Sequence, residues 1–117
     1  MTRLGKILAA LVLTVLTTFA FSSPAFAEPP AFSGNPAAGA TVFAANCNAC
    51  HGGGKNYVNP AKTLSKADLE KWGRYSEEKV IYQITNGGGG MAPFARLGPE
   101  NIKNLAAYVL TQADKGW

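Results

Sequence analysis

The stretch ANCNACHGG, residues 45–53, limits what this chain can become more than any other. It holds both cysteines of the 117-residue chain, Cys47 and Cys50, and its one histidine, His51. Three arrangements of two thiols and an adjacent imidazole compete. Exported chains favour disulfides, but a bridge between residues three apart near a helix end would pin almost nothing. The second arrangement is a thioredoxin-like redox pair or a zinc site: the redox pair needs a βαβ frame that no strand-rich stretch supplies, and a structural zinc wants four nitrogen or sulfur ligands and finds three here. The third arrangement is covalent haem attachment, the specific reading of C-x-x-C-H. Each thiol adds to one haem vinyl group, and the adjacent imidazole is held over the iron. Cys47 and Cys50 are therefore the candidate attachment residues for one haem c, and His51 is the first candidate metal ligand.

Iron bound by one histidine keeps an open face. Left open, that face binds gas or peroxide; closed by a second ligand, the iron suits electron transfer, and a His/Met pair raises the reduction potential. Beyond Met1 the chain has one methionine, Met91, in NGGGGMAPF. A solitary methionine in a small core is commonly a gap-filler. Met91 instead lies outside any helical pattern, after four glycines and just before Pro93. Such a loop can lay backbone flat against a ring and aim one side chain at its centre, which makes Met91 the second candidate metal ligand. With no second histidine, bis-histidine ligation within one chain is excluded.

The first 27 residues have a different character. Arg3 and Lys6 precede an uncharged apolar run, ILAALVLTVLTTFAF, and Ala25 and Ala27 then form an A-x-A end. This pattern predicts a cleavable secretory signal peptide over residues 1–27, with the domain beginning at Glu28. The alternative is a membrane anchor, but the run of about fifteen residues is short of the roughly twenty that span a bilayer. No Arg-Arg pair precedes it, which favours export of an unfolded chain and later addition of the cofactor. Residues 28–117 make one domain, small enough to need a staple. Without Arg3 and Lys6, nine basic residues face seven acidic ones, a formal +2. That balance is too weak and scattered to point to nucleic acid.

Helix signals recur along the domain and strand signals do not. Asn35-Pro36 is an N-cap with proline at the first helical position, predicting a helix to about Cys50. Gly39 and Phe43 share one face of it, where a glycine admits a close crossing by another helix. The loop GGGKNYVNPAKTL should wrap the histidine side of the haem. A ligating histidine usually gives its other ring N–H to a carbonyl, and Asn59 or Pro60 is the expected source. Ser65 caps KADLEKW, which Gly73 stops. Ser76 caps EEKVIYQITN, with Val80, Ile81 and Ile84 as its apolar stripe and Asn86-Gly87 as a left-handed end. Pro99 opens a last helix whose buried face is Ile102, Leu105, Ala106 and Val109, with Tyr108 expected against Phe43. The fold class is all-α, about four helices wrapped around one covalently bound haem.

Four segments now carry a likeness. GATVFAANCNACHGGGKNYV, KTLSKADLEKWGRYS, YQITNGGGGM and AAYVLTQADKGW occur in that order. Together they resemble the class I c-type cytochromes and, within them, the cytochrome c6 family of cyanobacteria and algae. The resemblance implies a soluble one-electron carrier of the thylakoid lumen, a monomer with transient docking and no permanent membrane anchor, and not an enzyme. It implies the cytochrome b6f complex as donor and photosystem I as acceptor, with a terminal oxidase as a further acceptor in cyanobacteria. Carried over by position, Cys47 and Cys50 are the thioethers and His51 and Met91 the axial ligands. Gln83 falls where the family keeps a glutamine near the haem, its bland alternative being a solvated helix residue. Arg96 falls near the family arginine implicated in docking to photosystem I. The family usually reads Met-Pro-Ala-aromatic where this chain has Met91-Ala92-Pro93-Phe94, and it places one more residue before the arginine. Two rival functions differ in the iron: an open-site haem protein acting as gas sensor or peroxidase-like enzyme, and a low-potential regulatory paralogue.

Overall fold

The computed structural model describes residues 23–24 and 32–117; apart from residues 23–24, the expected signal peptide lies outside the described residues, as does its expected cleavage point after Ala27. Five α-helices carry the architecture: α1 (Pro36–Asn46), α2 (Asn48–His51), α3 (Lys66–Lys71), α4 (Glu77–Asn86) and α5 (Pro99–Lys115). Single 3-10 turns cover Gly52–Gly54 and Ala95–Leu97. Among the described residues the β-structure is one isolated bridge, Gly88 to Met91.

The caps start the helices where the sequence places them. The Asn35 side chain accepts from the N–H groups of Ala37 and Ala38, and Pro36 occupies the first turn. Ser65 accepts from the Asp68 N–H, and Ser76 from the Lys79 N–H. Each such cap satisfies an orphan donor and contributes about 1 kcal/mol. The first helix differs from expectation. It stops at Asn46, Cys47 turns the chain at φ −118°, and α2 restarts for one turn through His51. The offset moves Cys50 and His51 off the line that α1 alone would set.

Helices α1 and α5 cross at close range. A Cβ built on Gly39 would stand 2.0 Å from the carbonyl oxygen of Asn104, so only glycine admits the crossing. One turn on, Phe43 meets Tyr108 with ring centroids 5.0 Å apart. Asn104 is buried, and its Oδ1 accepts the Asn35 N–H at 2.8 Å. A buried amide is thereby satisfied, and the start of α1 is fixed to the middle of α5. Leu105 and Leu110 are each 1 % exposed, and full burial of such a side chain contributes roughly 1.5–3 kcal/mol. Val80 and Ile84 bring α4 into the same core, with Ile81 packed at its edge.

Gly39→Ala should lower stability by about 1–3 kcal/mol, because backbone on α5 cannot yield to the new methyl group. For a domain of this size that corresponds to a fall in unfolding temperature of roughly 4–8 °C per kcal/mol, read by circular dichroism; an unchanged midpoint would mean the helices do not meet at Gly39.

Candidate functional site: a cleft between the cysteine helix and the methionine loop

A cavity of about 720 Å³ lies between the end of α1, the loop after α2, α4 and α5. Its volume is typical of a cofactor cleft. Six of its wall residues, Phe43, Leu69, Val80, Ile84, Leu105 and Val109, also belong to the buried core. One apolar surface thus serves as the centre of the fold and as the floor of the cleft.

All four sequence-nominated site residues line this one cavity: Cys47, Cys50, His51 and Met91. Both thiols are free. Burial pushes the Cys47 thiol up from its ordinary range, and the neighbouring Cys50 adds to the effect. Among the described residues no three His, Cys, Asp or Glu side chains converge to hold a metal ion. What lines the cleft instead, spread over its walls, is a pair of thiols, an imidazole and a thioether, a donor set that fits an iron porphyrin.

His51 is positioned by a glycine turn. Gly53, at φ +64°, reverses the chain directly after α2. The Lys55 carbonyl then comes back to His51 Nδ1 at 2.9 Å. The acceptor is thus Lys55, in place of the expected Asn59 or Pro60. The Asn59 carbonyl accepts the Lys62 N–H at 2.9 Å instead. The signal was present in the sequence as GGG immediately after His51, a run that turns within four residues.

Met91 is positioned by a second glycine run. Gly87 ends α4 at φ 67°, ψ −156°. This positive φ differs from the left-handed helical cap expected of Asn86-Gly87, because its ψ is extended and sends the chain away at once. A Cβ on Gly87 would stand 2.5 Å from the Met91 carbonyl oxygen. Gly88 and Met91 exchange main-chain bonds of 2.8 and 3.1 Å, and Phe94 N–H returns to the Ile84 carbonyl at 2.8 Å. Gln83 sits above this loop. Its Nε2 donates to the Gly88 carbonyl at 3.3 Å and approaches the Met91 sulfur at 3.8 Å. It is therefore a cleft residue.

The rim is partly apolar and exposed. Val58 and Tyr82 line the cavity while 60 % and 63 % exposed. The two loops meet there, since a Cβ on Gly90 would lie 3.1 Å from Val58 Cγ1. Arg96 is exposed in the turn after the methionine loop, its guanidinium 5.0 Å from the centroid of Phe94, a cavity residue. On the histidine side, Asp68 accepts from the Thr63 hydroxyl at 2.6 Å and the Thr63 N–H at 3.0 Å. Those bonds hold its carboxyl below the usual range.

Helices folded around one cleft, with C-x-x-C-H on one wall and a loop methionine on the other, define a class I c-type cytochrome. Comparison with known proteins narrows the class. The family model described as cytochrome c oxidase, cbb3-type, subunit III matches residues 34–109. Cytochrome c6 of Nostoc sp. is 54 % identical over 103 residues, 87 % of each chain. Cytochrome c6 of Gloeothece citriformis is 50 % identical over 113 residues, covering 96 % of this chain and 99 % of its own. The crystal structure of cytochrome c6 from the diatom Phaeodactylum tricornutum superposes with a TM-score of 0.70 at 46 % identity, covering 72 % of this chain and all of that one. The chain belongs to the cytochrome c6 family, a family of electron carriers with one covalently attached c-type haem.

Proposed function

We propose that this chain is a diffusible one-electron carrier without substrate chemistry, passing electrons from the cytochrome b6f complex to photosystem I in the thylakoid lumen. Cys47 and Cys50 would hold the haem as thioethers, and His51 and Met91 would bind its iron. The observation that carries this reading is that these four side chains, three from the α1–α2 segment and one from the glycine loop after α4, line a single cavity. When bound, the haem supplies a one-electron couple, and His/Met ligation raises its potential.

The chain's own groups account for the rest. The Lys55 carbonyl accepts from Nδ1–H of His51, which fixes the tautomer and leaves Nε2 as the metal-binding nitrogen. The Gln83 amide directs an N–H at the Met91 sulfur and draws electron density from it. The apolar, exposed rim at Val58 and Tyr82 offers partners a short path to the cleft. A carrier must leave as readily as it docks, so a small encounter interface is sufficient. Residues 1–27 act as the export leader, and no helix among the described residues is long and apolar enough to cross a membrane.

Three experiments test this reading. Intact mass of the protein from its native compartment should correspond to a chain beginning at Glu28 plus one haem that resists acid-acetone extraction; an uncleaved chain or an extractable haem contradicts it. Met91→Ala should open the iron to external ligands and lower the midpoint potential, and a variant with the parent spectrum and potential would show that another group holds the iron. Arg96→Glu should slow second-order reduction of photosystem I by roughly two- to fivefold at low salt, leaving the potential unmoved, because a rim charge acts on encounter and is screened by salt. Flash-induced kinetics across a salt series measures it. Equal rates would remove Arg96 from docking, and no reduction by either protein would remove the assigned route.

A further inference from the structure

The hydrogen bonds on the histidine side of the cleft continue beyond the loop that carries them. His51 Nδ1 meets the Lys55 carbonyl. The residue before Lys55, Gly54, accepts the Leu64 N–H at 2.8 Å, which closes residues 55–63 into a loop. Leu64 in turn gives its carbonyl to the indole N–H of Trp117 at 2.7 Å. The indole also lies on Gly54 itself, since a Cβ there would stand 2.4 Å from its ring. Trp117 therefore grips both residues that form the base of the loop.

Within the loop, Asn56 supplies the bracing. Its Oδ1 accepts from the Val58 and Asn59 N–H groups, and its Nδ2 donates to the Lys62 carbonyl. The loop is also tied to the segment that carries His51, through the Lys55 N–H to the Gly52 carbonyl at 3.3 Å and the Tyr57 N–H to the Cys50 carbonyl at 3.1 Å, so the base and these two bonds together set where the Lys55 carbonyl points. Trp117 is itself held firmly. Phe43 and Tyr108 pack against it with centroids 5.7 and 6.0 Å away. Its backbone has φ +58°, and its N–H returns to the Gln112 carbonyl at 3.0 Å.

We propose that Trp117 is a positioning residue for His51: by clamping Gly54 and Leu64 it keeps the Lys55 carbonyl on the imidazole Nδ1 and so sets the electron density His51 offers to iron. This rests on His51 being an iron ligand. A carbonyl held on Nδ1–H makes the imidazole more basic, favours the oxidised iron and lowers the potential. Loosening the clamp weakens that bond and raises the potential, although Trp117 is not among the residues lining the cleft.

The test uses the full holoprotein with Trp117→Phe, and with Trp117 replaced by β-(3-benzothienyl)alanine, which keeps the bicyclic shape but has no N–H. Both should raise the midpoint potential. Both should also speed exchange of the Leu64 amide by about fivefold or more, the loss expected for one hydrogen bond, while the Val80 amide in α4 keeps its rate. A lower unfolding temperature with unchanged potential and unchanged His51 Nδ1–H resonance would make Trp117 a core residue only and overturn the proposal. Wild-type protein gives a measurement independent of either variant: a Trp117 indole proton that exchanges freely while the His51 ring proton stays protected also overturns it. Absence of a ligand-shifted His51 imidazole in wild type would instead overturn the ligand reading on which the proposal rests, and would be seen before any variant is made.

Discussion

Glycine at residue 39 lets α1 lie against the main chain of α5, and the rest of the molecule is arranged from that crossing. Helix α1 leads into Cys47, where the chain turns into α2, so the angle at which α1 passes Asn104 and that turn together set where both cysteines and His51 stand. The opposite partner, α5, turns Leu105 and Val109 toward the cleft from the same segment that receives α1. The Asn35–Asn104 bond adds direction to a contact that packing alone would leave free to slide. A shift of α1 along α5 would therefore displace the haem-binding motif relative to the floor it faces, and would leave a buried amide unsatisfied.

The two walls of the cleft follow different physical rules. The cysteine wall is helical and takes its rigidity from backbone bonds, with the Cys50 and His51 N–H groups both returning to the Cys47 carbonyl. The methionine wall has no regular structure to rely on. It is held by the Gly88–Met91 bridge, the Phe94-to-Ile84 bond and the Gln83 amide, each drawn from α4 or from the loop itself. Glycine is needed at residue 87 because the turn begins at positive φ with the Met91 carbonyl directly behind it. A side chain on such a loop combines a fixed position with a short chain path, a combination that a helix of the same length would not permit.

Much of this was legible in the sequence because it is written in short-range chemistry. Asn35, Ser65 and Ser76 each mark a helix start through bonds to residues within four positions, Pro99 does so through its fixed φ in the first turn, and the structure places all four as expected. Gly39, Phe43 and Tyr108 foretold a helix crossing because a small residue beside an aromatic one has a packing meaning of its own. C-x-x-C-H and the lone methionine nominated four residues that meet in one cavity. The break at Cys47 was not legible, since nothing in AANCNACH is a helix breaker and tertiary packing decides it. The His51 acceptor was missed for a related reason: Lys55 contributes only its carbonyl, which every residue has. Trp117 and Asn104 were missed as structural centres because their partners, Leu64 and Asn35, are 53 and 69 positions away.

The shared wall explains why a domain of this size can do without a separate core and a separate site. Phe43, Leu69, Val80, Ile84, Leu105 and Val109 bury apolar surface against one another and also present it to the cleft. Burial on both sides makes each of them contribute to stability and to the dielectric around the cofactor at once. A low dielectric disfavours the more highly charged oxidation state, so the packing that stabilises the chain also biases the couple it carries. Substitutions that shrink this wall should for that reason not separate cleanly into folding and redox effects. Residues outside it, such as Arg96 on the exposed turn, are where partner recognition can change without disturbing either.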